Sequence, residues 1–217
     1  MKCQNIERGS GIQNLKFKMK NAKLMKQRLI KLILSRSFKY TKKPTFKLAS
    51  GKKSNFYFNC KPTTLSPEGK LLIGNLMYEL IKNERTWKVK AIGGLTLGAD
   101  PVANAIAYTS YIESQRSKVT PLEAFVVRKE PKKHGTMQWV EGYVKKGDKV
   151  LIVEDVITTG CSTIKAIKRA KKCGLKVLGV VVLIDRQEGG REAIESMGLP
   201  FKALLTKEEI FKVYKML

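Results

Sequence analysis

Apolar positions along the chain follow two periods, and the change between them divides it. Residues 23–38 set Leu24, Leu29, Ile30, Ile33 and Leu34 at helical spacing among lysines, which predicts an amphipathic helix packed on the domain. Thr45–Asn59 alternates, passes Ser50-Gly51 and ends in an aromatic run, predicting a hairpin. Ser66-Pro67-Glu68 predicts a helix start, with Ser66 as N-cap and Pro67 in the first helical position, and the helix runs to about Lys82. From Val89 onward the apolar runs are short and nearly continuous. Val89–Gly93, Ala124–Arg128, Val150–Glu154, Lys176–Asp185 and Phe201–Leu205 read as strands. Between them Gly94–Asp100 reads as a glycine-rich turn, and Pro101–Tyr111, Thr163–Cys173 and Gly190–Met197 as helices. This alternation predicts the α/β class, with a mainly parallel sheet covered by helices on both faces.

Length changes this picture little: 217 residues make about one domain with a sizeable core. The longest apolar run, Val177–Ile184, is far short of the roughly 18 residues of a membrane span. Cys3, Cys60, Cys161 and Cys173 are scattered, and His134 is alone, which argues against a zinc site and a disulfide framework. A reducing cytoplasm is the expected setting.

Charge changes it more. The net charge is +25. Residues 1–53 hold 16 Lys/Arg and one acid, Glu7, so much of the excess lies in the first quarter. Residues 1–22 lack a clear period and read as a basic arm, with the domain proper at 23–217. Such a field favours anionic partners: nucleic acid, acidic membranes or phosphorylated small molecules.

Chemistry concentrates at strand ends. Val150–Glu154 delivers Glu154 and Asp155 to the carboxyl end of a buried strand, followed by Thr158-Thr159-Gly160-Cys161-Ser162 and a helix start. Ligands of open α/β sheets bind at such ends, and a helix N-terminus with small residues offers free N–H groups to a phosphate. Carboxylates beside a phosphate cradle suit sugar hydroxyls and magnesium, so the segment reads as a site for a sugar 5-phosphate. The bland alternative is a strand-turn-helix with a capping cluster. A second cluster, Arg128-Lys129-Glu130-Pro131-Lys132-Lys133-His134-Gly135, follows a strand and reads as a loop. Its cations suit a leaving polyphosphate, and the alternative is a solvated basic loop. Arg186, just past another strand end, could hold a carboxylate bidentately or pair with Asp185 or Glu188. Tyr57-Phe58 could stack a planar ring or sit in the core.

Val150–Thr163 resembles the phosphoribosyl-pyrophosphate (PRPP) signature of type I phosphoribosyltransferases. The 128–135 loop, the Phe46–Asn59 hairpin and Asp185-Arg186-Gln187-Glu188 resemble, within them, the orotate phosphoribosyltransferases. The resemblance covers about residues 25–217. It implies that fold, with a small hood from the N-terminal hairpin and C-terminal segment. It implies transfer of phosphoribosyl from PRPP to orotate, with Mg2+ carried by PRPP rather than by a dedicated protein site. By matching position, Arg128, Lys129, Lys132 and His134 would hold pyrophosphate, and Glu154 and Asp155 the ribose hydroxyls. The rest of the signature, Val156, Ile157, Thr158, Thr159, Gly160, Cys161 and Ser162, would complete the PRPP site. Tyr57, Phe58, Thr158 and Arg186 would take orotate, and Lys132, His134 and Asp155 would be catalytic. A homodimer is implied, with loop 129–136 reaching the neighbouring site; neither a nucleic-acid partner nor a membrane is expected. Three residues depart from the pattern: Ala49 where lysine is common, Glu154 where aspartate is common, and Cys161 where glycine is common. The rival readings are a phosphoribosyltransferase for another base and a nucleic-acid-binding regulator that uses the arm.

Overall fold

The computed structural model describes residues 21–47, 53–131 and 139–217. A six-stranded sheet forms its centre. Its strands are β5 (Ala91–Leu95), β6 (Glu123–Val127), β7 (Val140–Gly142), β8 (Lys149–Ile157), β9 (Lys176–Asp185) and β10 (Phe201–Thr206). The order is β10-β9-β8-β5-β6-β7, and every pair is parallel except β6–β7. Helices cover both faces: α1 (residues 21–36), α3 (Pro67–Lys82) and α4 (Ala99–Ser114) on one, α5 (Cys161–Lys172) and α6 (Gly190–Glu195) on the other.

The two-residue period of a strand builds both cores at once. Along β8, Leu151 and Val153 pack toward the α1/α3/α4 layer, whereas Val150 and Ile152 pack toward α5. Along β9, Val181 and Leu183 follow the first pair and Val180 and Val182 the second. All eight are buried. Burial of each such side chain stabilises the fold by about 1.5–3 kcal/mol. The first helix turns Leu29 and Ile33 fully inward, as its period predicts, but leaves Leu24, which the same period counts on the apolar face, in solvent at the first turn. Ser66 caps α3 by accepting the Gly69 N–H at 3.0 Å, with Pro67 at the first position.

The structure adds elements that the hydrophobic pattern does not announce. β7 is three residues long. The short α2 (Lys61–Thr64) follows the aromatic strand, and α7 (Lys207–Tyr214) closes the described chain with a capping box of Thr206 and Glu209. The hairpin also divides into two ladders. β2 (Phe46–Lys47) pairs with β3 (Lys53–Ser54), while β4 (Phe56–Phe58) leaves it to pair antiparallel with β1 (Phe38–Tyr40). Phe211 and Tyr214 of α7 meet Phe38 edge-on at 5.3 and 5.1 Å between centroids, and Phe211 meets Phe56 at 5.1 Å. The two ends of the domain thus form an aromatic hood. No helix among the described residues is long and apolar enough to cross a membrane.

Candidate active site

The site lies where the parallel strands end. β8 runs to Ile157, three residues past the predicted end, because Val156 and Ile157 stay in register with Ile184 and Asp185 of β9. The acid pair is therefore held within a rigid strand. The alternation that builds the cores gives the two carboxyls different neighbours, although their side chains still meet in a hydrogen bond. Glu154 is on the α5 side, 6% exposed, and accepts the Thr163 hydroxyl at 3.2 Å. Asp155 is beside the start of α4: a Cβ on Gly98 would lie 2.6 Å from its Oδ1. Burial is the main force pushing both carboxyls upward, Glu154 to about 8, with the Asp155 charge adding to the effect on Glu154. Lys61 of α2 works the other way on Asp155, and burial raises the thiol of its neighbour Cys60 far above the usual range.

After Ile157 the chain turns through Thr158, Thr159 and Gly160 into α5. Gly160 adopts φ +83°, which glycine reaches without the penalty a side chain brings. Cys161 is the first helical residue and is not among the positive-φ residues, so its replacement of glycine introduces no strain of that kind. Its free thiol is exposed, 3.4 Å from the Thr159 hydroxyl. Ser66 and Thr206 cap α3 and α7, but no side chain caps α5. The turn before α5 therefore does not form the side-chain capping cluster of the alternative reading.

Arg186 adjoins this turn. Its N–H donates to the Ile157 carbonyl at 3.0 Å. Gln187 at φ +56° donates its N–H to buried Asp185, fixing the bend after β9. The Arg186 side chain is 3% exposed, with its guanidinium 4.6 Å from the centroid of the Phe56 ring. Nη2 is ion-paired with Glu188 Oε1 at 2.8 Å, the pairing the sequence left open, while Nε makes no hydrogen bond. A buried guanidinium with Nε unbonded can still take a further acceptor.

The loops after β5 and β6 enclose a cleft of about 510 Å³ lined by Thr96, Arg128, Lys129 and Glu141 among others. The Thr96–Leu97 peptide is cis, and the Thr96 hydroxyl donates to Asp100 at 2.8 Å. Arg128 reaches Glu141 at 3.4 Å and the Glu130 carbonyl at 3.2 Å, while Arg169 donates to the Arg128 carbonyl.

Several expected positions are brought together: Glu154, Asp155, the 156–162 turn and Arg186 share one sheet edge, with Arg128 and Lys129 lining the cleft. The Tyr57-Phe58 pair is not. Tyr57 is exposed and stacks on Phe46 at 5.8 Å, whereas strand alternation turns Phe58, 6% exposed, into the core against Phe38. Phe56, which the sequence reading passed over, is the ring against Arg186. Lys61 also escaped it, because no local pattern marks its approach to Asp155. Gly98 lies in the glycine-rich Gly94–Asp100 turn that the sequence marks, and the packing of α4 brings it to Asp155. Lys132, His134 and Ala49 lie outside the described residues.

An open α/β sheet with adjacent acids at a strand end, an uncapped helix start behind them and a cationic cleft alongside defines a phosphoribosyltransferase. The phosphoribosyl transferase domain family matches residues 64–198. An orotate phosphoribosyltransferase from Aquifex aeolicus is 47% identical over 187 residues, 86% of this chain and 98% of its own. The Mycobacterium tuberculosis orotate phosphoribosyltransferase, in a crystal structure with Fe(III) dicitrate, superposes with TM-score 0.72 at 36% identity, covering 86% of this chain and 98% of its own. The same enzyme in a crystal structure with PRPP gives 0.67 at 34% identity over the same shares. The chain belongs to the orotate phosphoribosyltransferase family.

Proposed function

We propose that the protein transfers the 5-phosphoribosyl group of PRPP to orotate, giving orotidine 5′-phosphate and pyrophosphate, a step of pyrimidine nucleotide synthesis. The observation that carries the choice of base is Arg186. Its buried guanidinium, with Nε unbonded and Nη2 paired to Glu188, suits a planar carboxylate that exchanges with Glu188, a group that uracil and the purine bases lack.

The other roles follow from position. Thr158–Ser162 and the first N–H groups of α5 take the 5-phosphate, with Val156 and Ile157 holding the strand beneath. Glu154 and Asp155 take the ribose hydroxyls, and hydroxyl donors arriving at these buried carboxyls offset their lost hydration. Arg128 and Lys129 line the cleft for pyrophosphate, and Lys132 and His134 of the same loop join them there. As the glycosidic bond breaks, negative charge grows on pyrophosphate and positive charge on the ribose ring. Lys132 and His134 oppose the first, and Asp155 opposes the second. Tyr57 and Thr158 border the base, and Phe58 supports that strand from the core.

The donor set fits magnesium carried by PRPP. Glu154 and Asp155 offer hard oxygens beside the sugar. The metal would supply charge neutralisation on the pyrophosphate oxygens.

The working unit is residues 23–217, with the basic arm appended, in a reducing cytoplasm that suits the free thiols of Cys60, Cys161 and Cys173. It is a homodimer. A groove of about 600 Å³ between α3 and α4, with Leu71, Tyr108 and Ile112 exposed, supports a second copy, and loop 129–136 then serves the neighbouring site. The test is loss of orotate absorbance on adding PRPP and magnesium, with uracil and purine bases in parallel. Turnover of orotate alone is expected; turnover of another base instead would overturn the reading of Arg186.

A further inference from the structure

The end of the sheet opposite the active site carries a charge pattern that phosphoribosyl transfer does not use. Lys149 and Lys176 open β8 and β9 as register partners, both exposed. Lys145 and Lys146 sit on the preceding loop, where the Gly147 N–H bonds the Gly174 carbonyl at 2.9 Å and the Lys146 side chain packs over Gly174. Lys171 and Lys172 form the last turn of α5, just before Gly174. These six exposed lysines therefore meet at one edge, about 25 Å from the carboxyl end of β8 at roughly 3.3 Å per residue.

Among the described residues none of the six has an ion-pair partner within 4 Å. Asp148, the acid among them, is engaged by Lys90 at 2.9 Å and by the Lys145 N–H. The α5 dipole accounts for Lys171 and Lys172 but not for the four on the loop and strand starts. Two clefts open beside the lysines, of about 350 and 140 Å³, sharing Gly142, Val144 and Lys145. At their rim Tyr143 is 77% exposed, with Lys90 Nζ 4.9 Å from its ring centroid.

We propose that this edge binds single-stranded nucleic acid, with phosphates on the six lysines and a base on Tyr143. Unpaired lysines around an exposed ring are the elements of a single-strand track. On these elements Tyr143 is the one large apolar side chain exposed, so the edge has little to insert into a lipid surface. The sequence reading expects no nucleic-acid partner for the domain and reserves that role for the arm. The folded edge assigns it a different place.

The test uses the full chain and a fluorescent oligouridylate of about 20 nucleotides, followed by anisotropy through a potassium chloride titration. Six phosphate contacts predict a slope of log K against log salt near −4, at about −0.7 per contact. Lys171→Gln/Lys172→Gln/Lys176→Gln and, separately, Lys145→Gln/Lys146→Gln/Lys149→Gln should each cut the slope by about 2. Tyr143→Ala should weaken binding about tenfold with the slope unchanged. All should keep wild-type orotate turnover, which shows that they fold. An arm variant, Lys16→Gln/Lys18→Gln/Lys20→Gln, should keep most of the affinity. Absent binding by the wild type, loss of binding confined to the arm variant, or capture by phosphatidylserine vesicles in place of RNA would each overturn the proposal.

Discussion

Arg186 shows how one side chain can hold the specificity of a site. It is buried against Phe56 with Nε unbonded and Nη2 paired to Glu188, so removing it takes the proposed anchor from the base and leaves Glu188 without that partner. Arg186→Ala should lower kcat/KM for orotate about 100-fold, the loss of two charge-assisted hydrogen bonds, and leave KM for PRPP nearly unchanged. Steady-state kinetics in both substrates checks this. Glu154 carries the pH dependence. Its folded pKa of about 8 lies above its unfolded value near 4.5, so the free protein holds the proton more tightly than the unfolded chain does. Its contribution to stability is full below the lower value and is lost as pH rises toward and through the upper one. Glu154→Gln should flatten that decline in urea-midpoint measurements against pH. It should also raise KM for PRPP about tenfold through a weaker acceptor for the ribose hydroxyl. Cys161, exposed at the first position of α5, should be alkylated by iodoacetamide with loss of activity, and PRPP should protect it; Cys161→Ala should be active and resistant.

At the scale of elements, the site works because strand ends and helix starts meet at fixed distances. Gly98 is one such close meeting. A methyl there would contact Asp155 Oδ1 at 2.6 Å, so Gly98→Ala should displace the carboxylate, raising KM for PRPP with a loss of about 1–2 kcal/mol in stability. Equilibrium unfolding and kinetics together would separate the two effects. The hood follows similar logic. β4 pairs with β1 and not with the strand it follows, because Phe56 and Phe58 find an aromatic cluster with Phe38, Phe211 and Tyr214. That choice puts Phe56 beside Arg186.

At the scale of the molecule, one end of the sheet holds the acids and the other the exposed lysines, which keeps the two proposed anion-binding regions of a chain of net charge +25 apart. The apolar α3–α4 groove is a third region. If it seats the proposed second copy, Leu71→Glu/Tyr108→Glu, both on exposed side chains, should leave each monomer folded, give a monomer in solution and lower turnover. Sedimentation alongside activity checks the coupling.

Much of this was legible in the order of residues. Apolar runs and their breaks are local, so Lys176–Asp185 and the Ser66-Pro67 helix start stand where the pattern puts them, and the Glu154–Thr163 segment shows its chemistry on its face. What the sequence could not carry was non-local. The different neighbours of Glu154 and Asp155, the turning of Phe58 into the core and the arrival of Lys61 and Phe56 at the site depend on which strands pair and which helices pack. The joining of six lysines from one loop, two strand starts and a helix end depends on the same pairings. Such contacts stabilise only after long segments have been closed against each other, and no local propensity records that outcome.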